Sequence, residues 1–185
     1  MSPFLFALVA VFATSFGARD QLLVARLVER LGSAGGAVVA GSLAAIVSAG
    51  LMAWAGGAIA ALLPPAARTM LVAFALVAAG IELAWQRGDR APGEPTRSLF
   101  AIFLVALARQ IGDAARFCIF ALAAFGSAWW LAGAGGALGG IAALAMGGAM
   151  GAQLERMPVR GIRLALAAVL LVAGVVIALS ARNLV

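Results

Sequence analysis

The chain has 185 residues, of which 65% are hydrophobic and 11% charged, and its formal net charge is +6. A soluble domain of this length has no core large enough for so much apolar surface, so the composition predicts an integral membrane protein of α-helices. All 13 basic residues are Arg and none of them clusters on a polar domain, which argues against nucleic-acid binding. The chain has no His and only one Cys, Cys118, which excludes imidazole metal sites and an internal disulfide.

Six long apolar segments predict six transmembrane helices, because about 20 apolar residues span a bilayer. In chain order the predicted spans are residues 3–28, 36–63, 66–85, 99–125, 129–154 and 161–181. The first segment has no basic residues before it and continues past a polar patch to Val28. This favours a span over a cleaved signal peptide.

A polar linker at residues 87–97, rich in Pro, Gly and charge, is predicted to divide the chain into two three-helix units, 1–86 and 98–185. The units share residues at offsets of 95 and 94: Gly17 with Gly112, Pro64 with Pro158, and Gly80 with Gly174. An odd number of spans per unit inverts the second unit relative to the first. The predicted fold is therefore an all-α polytopic membrane protein of two inverted three-helix repeats, the plan of many secondary transporters.

The placement of Arg predicts the orientation in the membrane. Eight Arg residues lie in the loops after the first, third and fifth spans: Arg26, Arg30, Arg87, Arg90, Arg97, Arg156, Arg160 and Arg163. The opposite side has Arg68 and Arg182. By the positive-inside rule the three Arg-rich loops are cytoplasmic and both termini lie outside, and the expected location is the bacterial inner membrane.

Polar and charged residues interrupt the first and fourth spans at equivalent places. A charge at the bilayer centre costs roughly 2.5 to 3.5 kcal/mol on insertion scales, so such groups normally serve a pathway or a partner. The residues predicted to form a substrate or ion pathway are Ser15, Gly17, Arg19, Asp20, Gln21, Arg109, Gln110, Gly112, Asp113 and Arg116. In a repeat of this kind they would meet near the midplane.

The charges in these patches allow several interpretations. Two carboxylates face three Arg residues, a formal balance of +1 that suits an anion or a zwitterion better than a bare dication. A purely structural alternative places Arg109, Asp113 and Arg116 on one helix face as an intrahelical triad. The two-fold relation would also bring Arg19 to Asp113 as an ion pair. Glu82 is interpreted as an interfacial residue that faces the Arg-rich loops, with a proton-coupling or gating role as the alternative.

The layout resembles the transmembrane protein 165 family of manganese and calcium exchangers, whose mark is a Glu-x-Gly-Asp-(Lys/Arg)-(Ser/Thr) motif in each half, often followed by Gln. In residues 15–21 the matching residues are Gly17, Arg19 and Gln21, with Ser15 in place of Glu and Ala18 in place of Asp. In residues 110–115 they are Gly112 and Asp113, with Gln110, Ala114 and Ala115 as departures. The resemblance implies cation exchange, with Asp113, Gln110 and Asp20 as metal ligands.

The sequence thus predicts a small secondary transporter that exchanges or exports Mn²⁺ or Ca²⁺ by alternating access. Two alternatives stay open: an exporter of an amino acid or another small organic solute, whose carboxylate would meet Arg, and a non-transporting membrane scaffold or degenerate homologue. No motif indicates an enzyme or a bound cofactor. The expected partners are the lipid bilayer and a divalent cation, with protons as candidate counter-ion; a homo-oligomer is left open.

Overall fold

The computed structural model describes residues 3–32, 35–85, 98–151 and 153–182, and the predicted linker at 87–97 lies outside them. The described residues form helices joined by short turns. In chain order the helices are α1 Pro3–Thr14, α2 Arg19–Leu31, α3 Gly35–Ala61, α4 Pro65–Ala84, α5 Leu99–Ile111, α6 Ala114–Phe125, α7 Trp129–Met150, α8 Gln153–Arg156 and α9 Val159–Ser180.

Within the described ranges, four helices, α3, α4, α7 and α9, are long and apolar enough to cross a membrane. Helices α1 and α2 pass the same test only as a pair, and they meet at an angle of 63°. Helices α5 and α6 are apolar but have 13 and 12 residues, too few for either to span a bilayer alone. The chain is therefore a helical protein of membrane-spanning type, in which the first and fourth predicted spans are both interrupted.

The first interruption depends on a glycine. Gly17 has φ +70°, in the left-handed region that other residues rarely adopt, and this turns the chain out of α1. The Thr14 hydroxyl donates a 2.7 Å hydrogen bond to the carbonyl oxygen of Ala10 in the last turn of α1. Ala18 is extended, and α2 begins at the next residue. The polar patch of the first predicted span is thus a break between two helices.

The second interruption lies at Gly112 and Asp113. Helix α5 ends at Ile111, and Asp113 takes an extended conformation, with φ −91° and ψ 148°, before α6 begins. The interpretation of Arg109, Asp113 and Arg116 as an intrahelical triad is therefore wrong, because these residues do not share one helix.

The bundle has two ends that differ in the elements they carry. At one end, the Pro3 end, Arg68 near the start of α4 donates hydrogen bonds to the carbonyl oxygens of Ala124 and Phe125 at the end of α6. At the other, the Val159 end, the start of α3 packs on the start of α5, since a Cβ at Gly36 would lie 2.8 Å from Leu99. A Cβ at Gly17 would lie 3.0 Å from Val159.

Helices α4 and α9 pack closely in antiparallel directions through two glycines. A Cβ on Gly80 would lie 2.6 Å from Cγ of Leu171 and 3.0 Å from the carbonyl oxygen of Ala167. A Cβ on Gly174 would lie 2.7 Å from Cγ2 of Val77, and 3.0 Å from the carbonyl oxygen of Ala73. Small residues at such crossings let helix backbones approach where lipid gives no hydrophobic driving force.

An apolar core of small residues fills the bundle between the two breaks and the Pro3 end. Helices α1, α3, α6 and α7 supply its buried members: Ala7, Val11, Ala49, Ala53, Ala115, Ile119, Ala123 and Ala132. Helices α2, α3, α5 and α7 form a second buried cluster, which contains Leu23, Val24 and Leu144. The polar residues of the two breaks lie between these apolar regions.

Candidate functional site

The first break is held by hydrogen bonds from its own side chains. The backbone N–H of Gly17 donates to Oε1 of Gln21 at 2.7 Å, so the side chain stabilises the turn that glycine makes. Nε2 of Gln21 donates to the carbonyl oxygen of Ala143 in α7, also at 2.7 Å. Oδ1 of Asp20 accepts the backbone N–H of Gln21 at 2.9 Å. These bonds fix the start of α2 against α7.

A chain of buried hydrogen bonds joins the two breaks. Nε2 of Gln110 donates to Oδ2 of Asp20 at 2.9 Å. The Ser48 hydroxyl donates to Oε1 of Gln110 at 2.9 Å, and it accepts Nε–H of Arg116 at 2.9 Å. All four side chains belong to residues that are at most 4% exposed. Ser48 was not among the predicted site residues; the signal that could have indicated it is a hydroxyl near the middle of an apolar span.

A second group of charges lies closer to the Val159 end. Nη2 of Arg19 is 3.6 Å from Oε1 of Glu82, and Nη2 of Arg163 is 3.5 Å from Oε2 of Glu82. Nη1 of Arg109 donates to the carbonyl oxygen of Arg19 at 3.1 Å. The expected pair of Arg19 with Asp113 is wrong, because Glu82 is the carboxylate that Arg19 contacts.

Glu82 therefore has a larger part than the sequence analysis gave it. It meets Arg163, which was counted with the loop after the fifth span, but it also meets Arg19 at the first break. Its Oε2 accepts the backbone N–H of Ala114, the first residue of α6, at 3.3 Å. Glu82 and Arg163 therefore belong to the site. The sequence feature that could have indicated them is a charged residue near the end of one apolar helix and a second near the start of another.

Several buried polar atoms at this junction have no hydrogen-bond partner among the described residues. They are Oγ of Ser15, Oδ2 of Asp113, both Nη atoms of Arg116 and Nη1 of Arg163. Arg116 is 1% exposed, Ser15 2% and Asp113 3%. A buried donor or acceptor without a partner costs roughly 1 to 3 kcal/mol, more when charged, so native proteins rarely keep one without a reason. A polar ligand would satisfy these atoms.

The electrostatic balance of the junction is positive. Three carboxylates, those of Asp20, Glu82 and Asp113, face four guanidinium groups, those of Arg19, Arg109, Arg116 and Arg163. The charges that act on Asp113 belong to Asp20, Glu82, Arg116 and Arg163. Within the described ranges, no group of three or more His, Cys, Asp or Glu residues is arranged to hold a metal ion.

The predicted metal ligands differ in how free their oxygens are. Both carboxylate oxygens of Asp20 accept hydrogen bonds, from Gln21 and from Gln110. Oε1 of Gln110 accepts the Ser48 hydroxyl. Of the three predicted ligands, only Asp113 has a buried oxygen, Oδ2, that lacks a hydrogen-bond partner among the described residues. A set of Asp113, Gln110 and Asp20 around a cation thus stays a prediction that requires these bonds to rearrange.

The predicted site residues are distributed unevenly around this junction. Gly17, Asp20, Gln21, Gln110 and Arg116 share the bonded network, and Arg109 bonds to the backbone of Arg19. Gly112 is exposed, and a Cβ there would meet nothing within 4 Å. It therefore contributes the turn and no contact to the site.

Two interrupted apolar helices, joined by a buried charged network inside a membrane-type bundle, define the class: a helical membrane protein with a polar core. No family model, no curated protein and no solved structure matches the chain.

Proposed function

We propose that this chain is a small secondary transporter, and that its substrate is a small organic solute with an anionic group, such as an amino acid. The observation that carries the proposal is the guanidinium of Arg116 at the junction of the two broken helices, whose Nη1 and Nη2 are buried with no partner among the described residues. A planar guanidinium presents paired donors that match a carboxylate. The solute's anionic group would bind there, and Asp113 would face its cationic or hydroxyl group.

The broken helices support transport rather than a scaffold role. Irregular backbone at membrane depth is tolerated where it is buried in protein or lines a cavity, and interrupted helices of this kind form the sites of many transporters. The N-termini of α2 and α6 begin at the breaks, and helix N-termini carry partial positive charge. A scaffold would have no need for unpartnered charges at this depth.

Reciprocal contacts between α4 and α9 support the inverted repeat. Residues 73, 77 and 80 of α4 correspond, at the constant offset of 94, to residues 167, 171 and 174 of α9. Gly80 approaches Ala167 and Leu171, whereas Gly174 approaches Ala73 and Val77. Each glycine therefore contacts the residues that correspond to the ones its own counterpart contacts. Reciprocal contacts of this kind are typical of a two-fold axis. We infer six crossings, with α1 and α2 as one and α5 and α6 as its counterpart.

The same axis relates the side chains next to the breaks. Gln21 and Arg116 correspond at the offset of 95. Gln21 bonds to α7 at Ala143, and Arg116 bonds to α3 at Ser48. The Arg distribution favours an inner-membrane protein with both termini outside, so that the Val159 end would face the cytoplasm.

Divalent cation exchange is the second candidate, in line with the resemblance to the manganese and calcium exchangers. The observation that favours it is a pair of buried oxygens without partners, Oδ2 of Asp113 and Oγ of Ser15. A hard dication needs several oxygen ligands, usually carboxylates. The surplus of Arg at the junction is the reason that we rank this function second.

Reconstituted protein tests both candidates in one assay. Currents on a solid-supported membrane are recorded after jumps of alanine, glutamate, lysine, Mn²⁺ or Ca²⁺. We expect a current with at least one amino acid in wild type, loss of that current in Arg116→Gln, and wild-type current in the control Arg182→Gln, which changes an exposed Arg. Currents with Mn²⁺ or Ca²⁺ alone, unchanged in Arg116→Gln, would establish the second candidate. Silence with all five solutes would refute both and favour the scaffold.

A further inference from the structure

Glu82 joins elements from both sequence halves at one point. It lies two residues before the end of α4, and its carboxylate contacts Arg19 of α2, Arg163 of α9 and the backbone N–H of Ala114 of α6. Helices α2 and α4 belong to the first half, and α6 and α9 to the second. We call Glu82, Arg19 and Arg163 the Glu82 cluster.

The Glu82 cluster lies between the substrate site and the Val159 end. Asp113 directly precedes Ala114, so the site begins one residue from the Glu82 contact. The side chains of Glu82, Arg163 and Arg19 are 17%, 10% and 32% exposed. Asp113 and Arg116 are only 3% and 1% exposed. The cluster is thus the layer that separates the buried site from the surface on this side.

The opposite side of the site is closed in a different way. Toward the Pro3 end the apolar core of α1, α3, α6 and α7 fills the bundle with interlocked small residues. Opening that core would expose apolar backbone-to-backbone contacts. Opening the cluster separates charged groups that water solvates well, so their hydration offsets part of the cost of breaking the contacts. The cluster is therefore the easier side to open.

We propose that the Glu82 cluster is the gate of the pathway on the Val159 side, with Glu82 as its central positioning residue. The inference rests on the proposed function, because it treats the junction as a pathway. In the closed state Glu82 holds α2, α6 and α9 together. On opening, the contacts with Arg19 and Arg163 separate, and the solute leaves Arg116 toward the Val159 end. Nη1 of Arg163 is already buried without a partner, so Arg163 has donors to offer an anionic group as it passes.

The chain contains its own reporter for this gate. Cys118 is the only cysteine, is 2% exposed, and lies one helical turn after Ala114 in α6. It packs with Leu83 and Ala114, next to the Glu82 contact. Opening of the cluster would give a reagent access to it from the Val159 end, because Leu83 and Ala114, which cover it, adjoin the Glu82 contact. Its rate of modification therefore measures the open fraction without any knowledge of the substrate.

The experiment follows labelling of Cys118 by a membrane-impermeant maleimide in right-side-out and inverted membrane vesicles that hold the full-length protein. Loss of one charged partner shifts a closed-to-open equilibrium by about tenfold or more. We expect Glu82→Gln to raise the labelling rate by about that factor from one face only, the one that carries the Val159 end. The matched control is Glu29→Gln, which changes an exposed Glu on α2 and should leave the rate unchanged.

The double variant Glu82→Gln/Arg163→Gln separates a gate from general loosening. If the two residues act in one contact, the double variant should label no faster than the faster single variant. Equal increases from both faces, or no increase in Glu82→Gln, would overturn the gate. A one-sided increase in labelling supports the gate even where no transport current is found. The absence of a transport current would instead refute the proposed substrate class.

Discussion

The two broken helices differ in how completely their polar groups are bonded. At the first break Gly17 has a side-chain partner for its N–H, both oxygens of Asp20 accept hydrogen bonds, and Gln21 reaches α7. At the second break Oδ2 of Asp113 and both Nη atoms of Arg116 have no partner among the described residues, although they are buried as deeply. Among the described residues, Oγ of Ser15 is the one buried side-chain atom of the first break without a partner, whereas the second break keeps three such atoms. The first break is therefore mainly a structural joint, and the second has more unused bonding capacity.

The difference also separates residues of the same type by how much of their bonding capacity is used. Asp20 and Asp113 are 4% and 3% exposed, so burial alone does not distinguish them. What distinguishes them is the number of bonds that each carboxylate makes. We therefore expect substitutions at the first break to reduce stability, and substitutions at the second break to reduce binding.

The largest effect is expected from Asp20→Ala. It leaves Nε2 of Gln110 and the N–H of Gln21 without their acceptor, at roughly 1 to 3 kcal/mol each, for a total of about 3 kcal/mol. Thermal unfolding of the purified protein in detergent measures this as a large fall in midpoint. Asp113→Asn should change the same midpoint much less. Equal falls in the unfolding midpoint of the two variants would contradict the difference between the two breaks.

A second pair of variants tests whether the breaks belong to related halves. Ala at Gly80 or Gly174 would place a Cβ less than 3 Å from Leu171 or Val77, respectively. Overpacking of this kind typically costs about 1 to 3 kcal/mol. If a two-fold axis relates α4 and α9, the two variants should lose similar amounts of stability by thermal unfolding. A loss in only one of them would argue against the repeat.

The glycines of the breaks should respond differently from each other. Gly17→Ala introduces a side chain at φ +70°, which costs roughly 1 to 2 kcal/mol, and pushes it against Val159. Gly112 has no positive φ and open space at its Cβ position, so Gly112→Ala should lie within about 0.5 kcal/mol of wild type. Midpoints of thermal unfolding in the same detergent compare them. Equal sensitivity would mean that the breaks are equivalent after all.

A small effect on stability is also expected from Asp113→Asn. Oδ2 of Asp113 has no bond to lose, so the free energy of unfolding should change by less than about 1 kcal/mol. The variant should nevertheless respond to solutes differently from wild type, because in the proposed function the carboxylate faces the solute. Chemical denaturation together with a solute titration shows both properties. A large loss of stability with unchanged solute response would make Asp113 structural.

Much of the fold followed from the sequence because apolar length is a strong signal. The bounds predicted for the spans at 36–63 and 66–85 differ from those of α3 and α4 by only one or two residues at each end. The breaks were harder to predict. Polar residues beside Gly17 and Gly112 marked the positions, but hydropathy does not tell a kinked helix from a straight one, so the helix-face argument for Asp113 and its two Arg neighbours failed.

The hydrogen-bond and ion-pair partners within the site could not be derived from a single amino-acid sequence. Gln110 with Asp20, and Arg19 with Glu82, are separated by many residues, and only the three-dimensional packing selects them. The two-fold argument chose Asp113 for Arg19 because it compared motif positions and ignored Glu82, which lies outside the motifs. Ser48 was missed for the same reason.

The most direct test of the account is ligand-induced stabilisation of the purified protein. Wild type, Arg116→Gln and Asp113→Asn are heated with alanine, glutamate, lysine, Mn²⁺ or Ca²⁺. A ligand at 100 times its Kd stabilises the folded state by about 2.7 kcal/mol, enough to raise the unfolding midpoint by several degrees. We expect an amino acid to do so in wild type and not in Arg116→Gln. Stabilisation by Mn²⁺ or Ca²⁺ alone, retained in Arg116→Gln and lost in Asp113→Asn, would contradict it.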